Sequence, residues 1–202
     1  MEHRRLTLAV LGDSIAFGTG ATHPGDALGP RLVRVLADAG IDCELAVHAV
    51  PGAVSADLDA QVRRAGSPDL ALVVIGANDL SRLVPPSSAA AQLGTAVRRL
   101  RERGADVLVV PAPDMSSIPW VPQQFRALVR VASDELHRRQ TAAVQAAGGV
   151  VAPIAGELAS RFSAQPTLFG TDRFHPSSSG YALIAEALTP IVLSIARTRA
   201  AA

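Results

Sequence analysis

Apolar and polar positions along the chain alternate between two kinds of pattern. Short runs of four to eight mostly apolar residues with β-branched members lie at Leu6–Leu11, Cys43–Val50, Asp69–Ile75, Val107–Val110 and Val150–Pro153. Runs of this kind, bounded by Gly or Pro, predict strands buried on both faces. Between them the period changes to three and four. A helix is expected over 26–39, with Leu32, Val35 and Leu36 inward and Pro30 in or near its first turn. Ser55 is placed to cap a short helix reaching about Arg64, and 87–103 presents Leu93, Val97 and Leu100 on one face. A long helix is expected over 123–147 with Phe125, Leu128, Ala132 and Leu136 on one side. The last helix starts near the serines 177–179, buries Tyr181, Ile184 and Leu188, and is expected to kink at Pro190. Residues 111–122 read as a proline-rich loop, 155–175 as irregular with at most one short helix, and 196–202 as a frayed tail.

Strands alternating with helices imply an α/β fold: a parallel sheet with helices on both faces, joined by right-handed crossovers. In such sheets ligands bind at the carboxyl ends of the strands. The loops starting near residues 12, 51, 76 and 111, with the segment before the last helix, are therefore the places to search for chemistry. No repeat and no long linker divides the chain, and residues 1–202 are read as one domain.

Composition narrows the possibilities. The chain has 49% hydrophobic residues, and 19 Lys+Arg against 18 Asp+Glu give a formal charge of +1, which argues against a nucleic-acid surface as the main business. The arginines at 98, 99, 101, 103, 138 and 139 read as solvated helix faces. With a single cysteine, Cys43, neither an internal disulfide nor a cysteine metal cluster is available, and Cys43 reads as a small core residue. The apolar stretch after Arg5 is shorter than a signal-peptide core or a membrane span, so no transmembrane segment is expected. A cytoplasmic location is expected, with export by a route without a signal peptide left open. Oligomeric state is not legible.

Candidate chemistry begins at Ser14, in Gly12-Asp13-Ser14 at the end of the first strand. A serine there is commonly a turn or cap residue, and it needs partners to mean more. The stretch lacks the G-x-x-x-x-G-K-[ST] spacing of a phosphate loop, the third glycine of a dinucleotide fingerprint, and the final glycine of the G-x-S-x-G elbow. Asp172-Arg173-Phe174-His175-Pro176 supplies a histidine and, three residues earlier, a carboxylate able to bond one ring nitrogen while the other faces a nucleophile. Asp-x-x-His is also half of a metal site, but no second histidine or acidic cluster completes one; His3, His23, His48 and His137 are scattered. Gly52 and Gly76-Ala77-Asn78-Asp79 stand at two further strand ends. Acyl transfer needs preorganised donors for a negative oxygen, each worth about 10²–10³ in rate, and a glycine N–H and an asparagine amide are suitable ones.

Together, Gly12-Asp13-Ser14, Ala49-Val50-Pro51-Gly52-Ala53, Gly76-Ala77-Asn78-Asp79 and Asp172-Arg173-Phe174-His175-Pro176 resemble, in order and spacing, the four blocks of the GDSL-type, or SGNH, hydrolases. The resemblance spans nearly the whole chain. It implies a three-layer α/β/α flavodoxin-like fold around a five-stranded parallel sheet, and a serine esterase mechanism with neither metal nor cofactor. It also implies Ser14 as nucleophile, His175 as base and Asp172 as its orienting carboxylate. The N–H groups of Ser14 and Gly52 and the side chain of Asn78 would then form the oxyanion hole. The chain departs from the pattern at Ile15, where the family name has Leu, and at Val47, where many members carry Asn.

A small-molecule ester with a short- to medium-chain acyl group is the expected substrate. Met115, Ile118, Trp120, Val121, Leu83, Val84 and Phe169 are candidate walls of an acyl pocket, or seals of the core edge. The same residues would serve acyl transfer to another alcohol. A catalytically silent binding module is a further alternative, disfavoured by the intact set of Ser14, Gly52, Asn78, Asp172 and His175.

Overall fold

The apolar runs meet in one sheet. The computed structural model describes residues 5–201, so His3 and the last tail residue lie outside it. Five parallel strands, β1 (Leu6–Gly12), β2 (Cys43–Val47), β3 (Leu70–Val74), β4 (Asp106–Val110) and β5 (Val150–Val151), are arranged in the order β2-β1-β3-β4-β5. Side chains alternate across the sheet with period two. Leu6, Leu8 and Val10 of β1 join Leu72 and Leu108 in one core layer, and Ala9, Leu11, Val73 and Val109 join the other.

Amphipathic helices cover both layers. Over the first lie α2 (Leu28–Asp38), through Leu28, Leu32 and Leu36, and α8 (Ser178–Ala200), through Tyr181, Ile184, Leu188 and Val192. Over the second lie α3 (Leu58–Ala65), α5 (Pro86–Glu102) and α6 (Arg126–Ala146), contributing Val62, Leu93, Val97, Leu100 and Val144. This is the three-layer flavodoxin-like architecture. Because β3 lies on the opposite side of β1 from β2, the strand order reverses at β1, and the crevice at the ends of β1 and β3 is where such a sheet places its ligand.

Several expectations need correction. Strand β2 ends at Val47 rather than Val50; beyond it the chain stays beside β1 only through His48 N–H to Val10 O (2.8 Å) and Val50 N–H to Gly12 O (3.0 Å). Val35 is half-buried at the rim of α2. Helix α6 buries Ser133, Leu136, Gln140 and Val144, whereas Phe125 and Leu128 are 48% and 69% exposed. The inward stripe contains two polar residues whose side chains bond loop backbone, so hydropathy alone selects the wrong face. Within 155–175 the structure holds a ten-residue helix, α7 (Ala155–Ala164). Helix α8 runs through Pro190 to Ala200, and Ala196 is buried, so the expected fraying from 196 is absent up to Ala200. Among the described residues α8 alone is long and apolar enough to cross a membrane by length and composition. One face of it nevertheless forms part of the core.

Candidate active site

The end of β1 is held by unusually tight backbone contacts. Gly12 has φ +131°, and a Cβ there would lie 1.8 Å from Val74 O, so only glycine lets β1 pass β3 at this point. Gln61 of α3 brackets the same residue, accepting from Gly12 N–H (2.7 Å) and donating to Gly12 O (2.9 Å). Asp13 then caps the single-turn helix α1 (Ser14–Phe17), its Oδ1 accepting from Ile15 N–H at 2.9 Å. Its other oxygen is buried with no hydrogen-bond partner among the described residues. Burial pushes the Asp13 carboxyl up to about 7; the Ile15 N–H opposes that rise and the nearby Asp79 adds to it. Ser14 follows as the first residue of α1, nearly buried.

The opposing wall is the turn 170–176. Gly170 N–H bonds His175 O at 2.7 Å and closes it. Asp172 Oδ1 accepts from the N–H groups of Phe174 (2.9 Å) and His175 (3.0 Å), while Oδ2 lies 2.6 Å from His175 Nδ1. Desolvation raises the Asp172 carboxyl, but the His175 ring and the two amides outweigh it and hold it below the usual carboxylate range. An ionised carboxylate only accepts, so Nδ1 donates to it, and in the neutral ring Nε2 is then the nitrogen with the lone pair. That nitrogen lies 2.9 Å from Ser14 Oγ. Gly20 (φ +92°) makes the approach possible, since a Cβ there would lie 2.9 Å from His175 Cβ. Tyr181 of α8 adds a hydrogen bond to Thr19 O (2.8 Å) that ties the loop to the core.

The third side comes from the loop after β2 and from α4 (Ala77–Ser81). Asn78 does not cap α4 but lies in its first turn, where Nδ2 donates to Ala53 O at 3.1 Å and keeps a second N–H. Gly52 has φ +83°. Among the described residues, the backbone N–H groups of Ser14 and Gly52 have no hydrogen-bond partner. Ser55, expected as a cap, instead gives its N–H (3.0 Å) and hydroxyl (2.9 Å) to the buried Asp79 and fastens the Gly52 loop to α4. Burial raises the Asp79 carboxyl against those two bonds. Gln140 of α6 fixes the last loop, accepting from Ala112 N–H (3.0 Å) and donating to Ile75 O (3.3 Å). Val47, the departure noted above, ends β2 half exposed.

The structure thus brings Ser14, Asp172 and His175 into one hydrogen-bonded chain and places Gly52 and Asn78 at neighbouring strand ends. Sequence reading missed Gln61, Gln140, Ser55 and Asp79, which hold these loops. The two glutamines carried a signal: each is a polar residue on the apolar stripe of a helix, Gln61 between Leu58 and Val62, Gln140 between Leu136 and Val144.

Beside this chain an apolar cavity of about 110 Å³ opens at the ends of β3, β4 and β5, lined by Ile15, Val110, Met115, Ile118, Phe169 and Phe174 among others. Leu158 and Phe162 of α7 form its far wall. Trp120 and Leu83, expected there, are 71% and 88% exposed, and Val121 and Val84 also lie outside it. Trp120 instead meets Phe174 edge-on, with ring centres 6.5 Å apart. Among the described residues no three His, Cys, Asp or Glu side chains are grouped to hold a metal ion.

Residues 10–183 match the GDSL-like lipase/acylhydrolase family. A GDSL-like esterase of Mycobacterium tuberculosis is 42% identical over 187 residues, which is 90% of this chain and 60% of that protein. The chain therefore spans less than two thirds of this relative. Among solved structures, TesA superposes with a TM-score of 0.76 at 21% identity, covering 94% of this chain and 99% of its own. A catalytic mutant of the acetylxylan esterase Axe2 from Geobacillus stearothermophilus gives 0.73 at 18%, covering 93% and 94%. These likenesses establish the SGNH-hydrolase fold. The chain belongs to the GDSL-like lipase/acylhydrolase family.

Proposed function

We propose that this member of the GDSL-like family hydrolyses carboxylic esters with short- to medium-chain acyl groups through an acyl-enzyme on Ser14. The observation that carries the reading is the continuous chain from Asp172 Oδ2 through His175 to Ser14 Oγ, at 2.6 and 2.9 Å. In the proposed reaction Ser14 Oγ attacks the carbonyl carbon while His175 Nε2 takes its proton. Asp172 keeps the ring in the tautomer that can accept it. The oxyanion is held by the N–H groups of Ser14 and Gly52 and the free N–H of Asn78. The C–O bond breaks, the alcohol leaves with the proton from His175, and water repeats the sequence on the acyl-enzyme.

The apolar cavity supports the choice of acyl group. At roughly 30 Å³ for each water-sized group, about 110 Å³ accommodates about four such groups. Residues 1–202 act as one unit in this reading, and the ester is a small molecule. The test is turnover of p-nitrophenyl esters from acetyl to dodecanoyl by the wild type, Ser14→Ala and His175→Ala. A maximum at short to medium chain length is expected, with both variants slower by several orders of magnitude. Near-normal turnover by folded Ser14→Ala refutes the proposal.

A further inference from the structure

The apolar cavity lies on the β3-β4-β5 side of Ser14. Gly52 follows β2, on the other side. An ester with its acyl chain in the cavity leaves its carbonyl oxygen at Gly52 and its alcohol beside His175, so substituents on the alcohol reach the loops around both, and the groups found there bear on which alcohol is accepted.

The group found there is Arg82. It ends α4 one helical turn after Asn78, so both side chains project from the same face. Its own N–H bonds Asn78 O at 3.0 Å. Its guanidinium passes so close to Gly52 that a Cβ on that glycine would lie 3.3 Å from Nη2. Leu83, directly after it, has φ +55° and is 88% exposed. A leucine held in the left-handed region is strained, and strain of this kind gathers at functional sites.

Arg82 is also uncompensated. Among the described residues no hydrogen bond or ion pair engages its side chain, whereas Arg63 and Arg99 share Asp59, and Arg138 and Arg139 share Glu135. The carboxylates close to this loop are committed elsewhere: Asp57 accepts from Val54 N–H and Asp79 from Ser55. A second exposed arginine whose side chain has no partner among the described residues, Arg173, stands in the turn between Asp172 and His175 with φ +57°. Two unpaired guanidinium-bearing residues thus stand on the loops that bracket Ser14, while the acyl cavity is apolar.

Building on the esterase reading above, we propose that the preferred substrates carry an anionic group, such as a carboxylate or phosphate, on the alcohol portion, and that Arg82 binds it beside Gly52. Guanidinium matches the planar and tetrahedral oxyanions alike through paired N–H donors. An exposed ion pair of this kind supplies about a fivefold preference at low salt, and screening weakens it.

The test compares kcat/KM for 3-butyryloxybenzoate, 3-butyryloxyphenyl phosphate and the uncharged 3-butyryloxybenzamide, with wild type, Arg82→Ala and Arg82→Lys. The wild type is expected to favour both anionic esters over the amide by about fivefold. That ratio should fall to about one in Arg82→Ala, recover partly in Arg82→Lys, and shrink at about 0.5 M salt. A preference for only one anion identifies which group the site takes. Equal turnover of charged and uncharged esters by active wild type, or a preference that survives Arg82→Ala, overturns the anion site and leaves the esterase reading intact. No turnover of any of the three, with Ser14 inert to acylating reagents, overturns both.

Discussion

Replacing Asp13 by Asn isolates the energetic consequence of a buried carboxyl beside Ser14. The Asp13 carboxyl is 1% exposed, Oδ1 accepts from Ile15 N–H, and Oδ2 has no hydrogen-bond partner among the described residues. Asparagine retains the accepting oxygen and removes the charge. In the unfolded chain the group loses its proton near its ordinary value of 3.8, whereas in the fold it keeps it to about 7. Between those values the native state binds one more proton, so stability falls as pH rises, and the loss is complete once the pH passes about 7. About three pH units at about 1.4 kcal/mol each give on the order of 4 kcal/mol in all. Urea unfolding of both proteins at about pH 4.5 and about pH 8 reads most of that range. The stability of Asp13→Asn relative to wild type should rise by about 3 kcal/mol between the two conditions. Groups common to both proteins cancel in the difference. Stability curves that stay parallel across this range refute the claim that Asp13 is neutral in the folded protein below pH 7.

Asp172→Asn keeps the shape of the turn but presents an amide to Nδ1, so kcat on a p-nitrophenyl ester should fall by about 10³–10⁴ while the melting temperature changes little. Gln61→Leu leaves the N–H of Gly12 unpaired in the core and leaves its C=O with Val50 N–H alone, and should cost about 1–3 kcal/mol in urea unfolding. An unchanged midpoint would show that Gln61 does not hold the end of β1. Leu158→Trp narrows the apolar cavity from α7; kcat/KM for octanoyl esters should drop at least about tenfold while acetyl esters are spared, and parallel losses on both would place the acyl chain elsewhere.

The sheet was legible because its strands are apolar runs ended by glycine or proline, and the ends of three of the five strands, β1, β2 and β3, carry motif residues. Ser14 is far in sequence from Asp172 and His175, yet each sits at a turn whose backbone the motif itself determines: Asp13 caps α1, and Asp172 caps its own turn. Less was legible where polar residues face inward. On α6 Ser133 and Gln140 occupy the buried stripe, and a reading based on apolar spacing turned the helix toward Phe125 and Leu128 instead. Helix α7, with Gly156 near its start and few large apolar residues, has no clear period, so the cavity wall built by Leu158 and Phe162 was not foreseen. The proline-rich loop was legible as a loop but not in its direction: Met115 and Ile118 point in and Trp120 points out. Pairings such as Ser55 with Asp79 depend on strands β2 and β3 lying on either side of β1, which local pattern does not encode.

The central claim is that Ser14 is the nucleophile, activated by His175. Its most direct test is a fluorophosphonate probe followed by intact-protein mass measurement and peptide mapping. One adduct is predicted, on the peptide carrying Ser14, absent from Ser14→Ala and strongly slowed in His175→Ala. An unlabelled wild type that still hydrolyses esters, or an adduct on any other residue, would contradict the account.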